Sequence, residues 1–152
     1  MWPRFLKFTL VKPGKMKEHT TNYQNAFIEI AEDCPVKAGE MPPLKGDKKT
    51  VANMQFDMVY DNPYKYTSDD VLFQVYADRN GIKKGETAEA RKAFFSKGQP
   101  CFRTSPLTKR YGWGVHSDEA GRIAIYGAET TEYKKMAEDK SLKVVKAMRS
   151  SK

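Results

Sequence analysis

At 152 residues the chain has the length of one domain, enough to bury roughly 68–70% of its unfolded surface without a covalent staple. With 39% hydrophobic and 30% charged residues it has the balance of an ordinary folded protein, and no run approaches the about 18 apolar residues of a membrane span. The net charge of +8 is unevenly placed, since residues 1–18 set Arg4, Lys7, Lys12, Lys15 and Lys17 against Glu18 alone, so charge by itself argues only weakly for a nucleic-acid partner.

Residues 1–21 combine two prolines, a glycine, scattered lysines and a second methionine, Met16. They are expected as a disordered basic extension, with the single domain running from 22 to 152. The apolar neighbourhood from Phe5 to Val11 is broken by Lys7 and has no small-residue cleavage site before Met16, so it is not a secretory signal. Cys34 and Cys101 are too few and too far apart for a disulfide framework. Both are expected as thiols in a reducing, cytoplasmic setting.

Ala26 to Ala31 is short, rich in Ile and Phe, and ends at Asp33-Cys34-Pro35, which predicts a strand entering a loop. Pro35, Gly39, Pro42, Pro43 and Gly46 keep that loop irregular up to Thr50. Between Thr50 and Tyr60 the apolar residues fit both a strand and a helix. Helix formers, Thr50 as N-cap and Asn62-Pro63 as a stop decide for a helix. Thr67 with Asp70 three positions on forms a capping pair ahead of Val71, Leu72, Val75 and Tyr76 on one face, and Asn80-Gly81 ends that helix. A third helix is predicted from Glu86 to Ser96, with Gly98 beyond it.

Ser105 as N-cap and Pro106 at the first helical position predict one short turn reaching Arg110. Residues 111–117 and 122–126 read as the arms of a hairpin over 118–121. With Gly121 in the left-handed position, Val115 pairs with Ile125 and Ser117 with Ile123 on one face, while His116, Ala124 and Tyr126 share the other. From Thr130 to Met148 the residues Tyr133, Met136, Ala137, Val144, Val145 and Met148 fall on one helical stripe, with a break near Asp139 to Ser141. The expected fold is α+β, a small antiparallel sheet of about three strands packed by four or five helices.

Three blocks, Tyr64 to Phe73 (YKYTSDDVLF), Phe94 to Cys101 (FFSKGQPC) and Ser105 to Gly114 (SPLTKRYGWG), resemble a family of small uncharacterised microbial proteins, a domain of unknown function. The likeness runs from about Asn22 to Ser151 and leaves residues 1–21 outside. No established activity attaches to that family, so the resemblance implies no function.

The segment from Arg103 to Trp113 is the most suggestive chemically. Arg103, Lys109 and Arg110, the Ser105 hydroxyl and a helix start can grip a phosphate, while Tyr111 and Trp113 can stack on a base. The leading expectation is a small binding or accessory module for an anionic ligand, either a phosphate-bearing small molecule or a nucleic acid. The structural alternative is that the aromatics are core and the cations a solvated rim. A second expectation is a small enzyme with Cys101 as nucleophile, His116 as base and Arg103 orienting an acidic substrate. A third is a protein–protein interaction module pairing through a sheet edge or aromatic patch.

Asp69 and Asp70 fall where helix capping explains them without function. His19 and His116 lack ligand spacing with any cysteine or carboxylate cluster, so no metal is expected. Gly112 and Gly114 lack the third glycine of a dinucleotide fingerprint. They are expected to relieve crowding where the strand begins, and no cofactor is expected.

Overall fold

A computed structural model describes residues 18–150. The basic extension predicted over 1–21 therefore lies largely outside the described residues. Its last part is packed: Thr21 is buried, and both its amide and its hydroxyl donate to the Asp69 carboxylate.

The elements run in the order β1 (Ala26–Glu29), α1 (Val51–Val59), α2 (Ser68–Arg79), α3 (Thr87–Phe95), α4 (Pro106–Lys109), β2 (Trp113–Ser117), β3 (Ile123–Gly127), α5 (Thr131–Ala137) and β4 (Lys143–Lys146). Single 3-10 turns at Lys84–Glu86 and Phe102–Thr104 precede α3 and α4. The expected α+β class holds, with one four-stranded sheet in the order β3-β2-β1-β4.

The hairpin forms in the anticipated register, Val115 opposite Ile125 and Ser117 opposite Ile123, and Gly121 adopts φ +81° at its turn. Alternation then sorts the sheet into two faces. Ile28, Val115, Ile123 and Ile125 join Val59, Val71, Phe102 and Leu107 in the main core beneath α1, α2 and α4. The opposite face carries Phe27, Gly114, His116, Ala124 and Tyr126. There Tyr133 of α5 meets Phe27 edge-on, with ring centroids 5.0 Å apart, and accepts the Ile30 amide proton at its hydroxyl. Gly114 permits this approach, since a Cβ there would stand 2.6 Å from both the Phe27 and the Tyr133 rings.

The C-terminal segment departs from the expected helix. α5 stops at Ala137, where the Asp139 carboxylate accepts from the amide and hydroxyl of Ser141, a local turn that competes with helix. Val144 and Val145 then form β4, parallel to β1 and paired with Phe27 and Ile28. β-branched residues at consecutive positions suit this pleat. Lys143 and Lys146 at its ends put charge on an open sheet edge, which discourages pairing with a second chain.

α2 is capped as its sequence indicates: the Thr67 hydroxyl accepts from the Asp70 amide and the Asp70 carboxylate from the Thr67 amide. It buries two sides rather than one. Val71 and Val75 enter the main core, whereas Phe73 and Ala77 form a smaller cluster with Phe95 of α3. Tyr76, expected on the buried face, is 38% exposed.

Candidate functional site

The segment from Cys101 to Tyr111 is held from below. Phe102, Leu107 and Thr108 are essentially fully buried, and the Thr108 hydroxyl donates to the Phe102 carbonyl at 2.8 Å. Ser105 caps α4 by accepting from the Leu107 amide at 3.1 Å, with Pro106 at the first helical position. The Arg110 and Tyr111 amides both donate to the Pro106 carbonyl. This anchored turn delivers Lys109, Arg110 and Tyr111 to one wall of a cleft of about 450 Å3.

The facing wall is the start of α1. Thr50 and Asn53 form a reciprocal capping box, and Asn53 also donates to the Pro42 carbonyl at 2.8 Å, fixing the loop that carries Lys45. Lys45, Thr50, Val51 and Ala52 line the cleft. The first amides of a helix lack intrahelical acceptors, and its N-terminus carries about half a positive charge. Three cations and a helix start thus converge on one cleft with no acidic residue in its lining. None of the three cations forms an ion pair with another described residue. The pairs among described residues are Lys49 with Asp57, Arg91 with Asp70 and Lys146 with Glu32.

The remaining residues singled out in the sequence lie elsewhere. Arg103 donates through Nε to the Lys146 carbonyl at 2.7 Å, and its own carbonyl accepts the Met148 amide, so it secures the chain around β4. The Ser105 hydroxyl donates to Oε1 of Gln55 and is buried. Trp113 is buried against Phe56 and Tyr60, with its indole N–H given to the Glu40 carbonyl at 2.8 Å.

Cys101 and His116 are not brought together. Cys101 lies on the helical side, bordering a hollow with Val51, Gln55 and Leu72. Its Sγ accepts from the Arg103 amide at 3.4 Å and stands 3.7 Å from the Tyr23 hydroxyl. Burial, then the neighbouring thiol, raises the pKa of Tyr23. His116 follows Val115 along β2 and therefore faces the other way. Its Nδ1 is 2.8 Å from the Tyr64 hydroxyl, which is 2.8 Å from the Tyr126 hydroxyl. Burial lowers the pKa of His116, against the opposing fields of Asp118 and Asp139. Tyr64 is pushed well above the ordinary tyrosine range by burial and then by Tyr126. Tyr64 also holds φ +59°, an uncommon conformation for a bulky residue that packing must maintain.

Asp69 and Asp70 serve structure. Asp69 accepts from Thr20 and Thr21, and Asp70 caps α2 and pairs with Arg91 at 3.0 Å. Among the described residues no group of three His, Cys, Asp or Glu could hold a metal ion, and no helix is long and apolar enough to cross a membrane.

Sequence reasoning reached Lys109, Arg110 and Tyr111 but not Lys45, whose loop offers no periodic signal. Thr50 was legible as a cap, and a lysine shortly before a cap was the available hint. Nothing in the sequence marks Tyr64 as the partner of His116, because their contact spans 52 positions.

No curated protein and no solved structure matches the chain. The model of a family of unknown function, DUF6157, matches residues 18–152, a span that takes in the anchored turn, the facing helix start and the whole sheet. The chain belongs to that family.

Proposed function

We propose that the domain is a small binding module that takes a phosphate-bearing anion in the cleft between α4 and the start of α1. The observation that carries this reading is the convergence of Lys45, Lys109 and Arg110 with the first turn of α1 on a wall without a carboxylate. Cations beside the unpaired first amides of a helix are the chemistry of phosphate sites. The free thiols Cys34 and Cys101 suit a reducing, cytoplasmic setting.

A thermal-shift screen of the full chain against inorganic phosphate, pyrophosphate, sugar phosphates and short single-stranded oligonucleotides, at low and moderate salt, tests the reading. A stabilisation by a phosphate-bearing compound that shrinks with salt is expected, through linkage of binding to folding. It should be lost in the Lys109→Ala/Arg110→Ala double variant. No shift with any polyanion, or a shift indifferent to salt and to the double variant, would overturn it.

A further inference from the structure

Beside the anion cleft lies a second hollow, about 290 Å3 in volume, between α1, α2 and the 99–106 segment. That is at the small end of the about 300–1,000 Å3 that whole-ligand sites occupy, so it suits part of a ligand. Leu72, Val75, Tyr76 and Phe94 give it an apolar wall, with the Tyr76 and Phe94 rings 4.6 Å apart between centroids.

Arg79, Asn80, Gln99 and Thr104 add polar groups to the lining, and Gln55 and Ser105 are its buried ones. Gln55 is only 3% exposed and lines the hollow. Its Oε1 accepts from the Ser105 hydroxyl, while its Nε2 makes no hydrogen bond to another described residue and keeps some exposure in the hollow it lines. A donor amide beside an apolar wall selects a ligand that carries an acceptor. Hydrocarbon chains offer none, whereas the edge of a heteroaromatic ring does.

Val51, Thr104 and Pro106 belong to the linings of both the hollow and the anion cleft, so the two meet across a three-residue sill. Resting on the anion-cleft reading, we infer that one bipartite ligand straddles this sill, with its phosphate at Lys109 and Arg110 and a planar heteroaromatic group in the hollow. The ring edge accepts from Gln55 Nε2, as glutamine amides do with base edges, and the ring face lies against Tyr76 and Phe94. A nucleoside monophosphate carries these parts in this order.

Cys101 borders the hollow and is half-buried, whereas Cys34 is 4% exposed. Cys101 also borders an opening lined by Tyr23, Gln99 and Lys143, so slowed alkylation by iodoacetamide reports on the hollow where Gln55→Leu abolishes the slowing. The experiment combines calorimetric titration with the four nucleoside monophosphates, their nucleosides and inorganic phosphate, with the Cys101 alkylation rate measured in the presence of each. At least one monophosphate is expected to bind about ten-fold or more tighter than inorganic phosphate and to slow alkylation, which phosphate alone leaves unchanged. Gln55→Leu should remove that preference while keeping phosphate binding. Tyr76→Ala, at a partly exposed position that leaves the core intact, should weaken it in the same sense if Gln55→Leu fails to fold.

Equal affinity for phosphate and monophosphates, without protection of Cys101, overturns the bipartite ligand and leaves the anion cleft standing. Monophosphate binding indifferent to Lys109→Ala/Arg110→Ala overturns both, as does no binding at all. Tighter binding of an oligonucleotide than of any monophosphate overturns the assignment to a small ligand.

Discussion

Replacing Gly114 by alanine adds one methyl group at the most crowded point between the sheet and α5. Its Cβ would lie 2.6 Å from Phe27 Cζ and 2.6 Å from Tyr133 Cε2, well inside van der Waals contact. Neither ring has room to retreat, because Phe27 is fully buried and the Tyr133 hydroxyl is held by the Ile30 amide at 2.8 Å. Overpacking of this kind costs about 1–3 kcal/mol, and stretching the Ile30 bond adds about 1 kcal/mol. A total of about 2–4 kcal/mol corresponds to a melting temperature lower by roughly 4–16 °C for a chain of this size. Urea unfolding followed by circular dichroism should show a lower midpoint at an unchanged slope. A loss under about 0.5 kcal/mol, the range of an unconstrained surface change, would refute the packing described for this face.

Other perturbations read other parts of the fold. Asp69→Ala strips the acceptor from the buried Thr21 amide and hydroxyl, and is expected to cost about 1–3 kcal/mol. The Thr21 amide should then exchange with deuterium far faster than in the parent chain, and unchanged protection would contradict the attachment of residues 18–21 to α2. The third test concerns His116. Burial lowers its pKa below 6.5, so between the lowered value and 6.5 the unfolded chain holds a proton that the folded chain lacks. The stability linked to this group is present above pH 6.5 and is lost as pH falls toward the folded value. His116→Gln should therefore shrink the difference in urea midpoint between about pH 7.5 and about pH 5.5. A difference equal to that of the parent would mean that His116 is not desolvated.

Much of this fold is written locally. The Thr67 cap and the Asn80-Gly81 stop are short-range chemistry, and the hairpin register follows from Gly121 and the alternation of Val115 to Ser117 against Ile123 to Ile125. β4 was hidden because Val144, Val145 and Met148 fit a helical stripe with Tyr133 and Met136 as well as they fit a pleat. What decides between them is a parallel pairing with β1 more than a hundred residues away, and no local pattern encodes that. The double-sided burial of α2 was hidden for a similar reason, since Phe73 becomes core only once α3 covers it. At the site, Lys109 and Arg110 were legible as a basic pair closing a short helix. The burial of Trp113 and the tethering of Arg103 depend on Glu40 and Lys146, distant partners that the sequence does not point to.

The most direct test of the anion cleft is a residue-resolved titration of the isotopically labelled chain with inorganic phosphate at low salt, followed by amide chemical shifts. The account predicts saturable shifts at Val51, Ala52, Lys109, Arg110 and Tyr111 that fade as salt is added and vanish in the Lys109→Ala/Arg110→Ala variant. Shifts centred on Arg103 and Lys146, or none at these five amides, would contradict it.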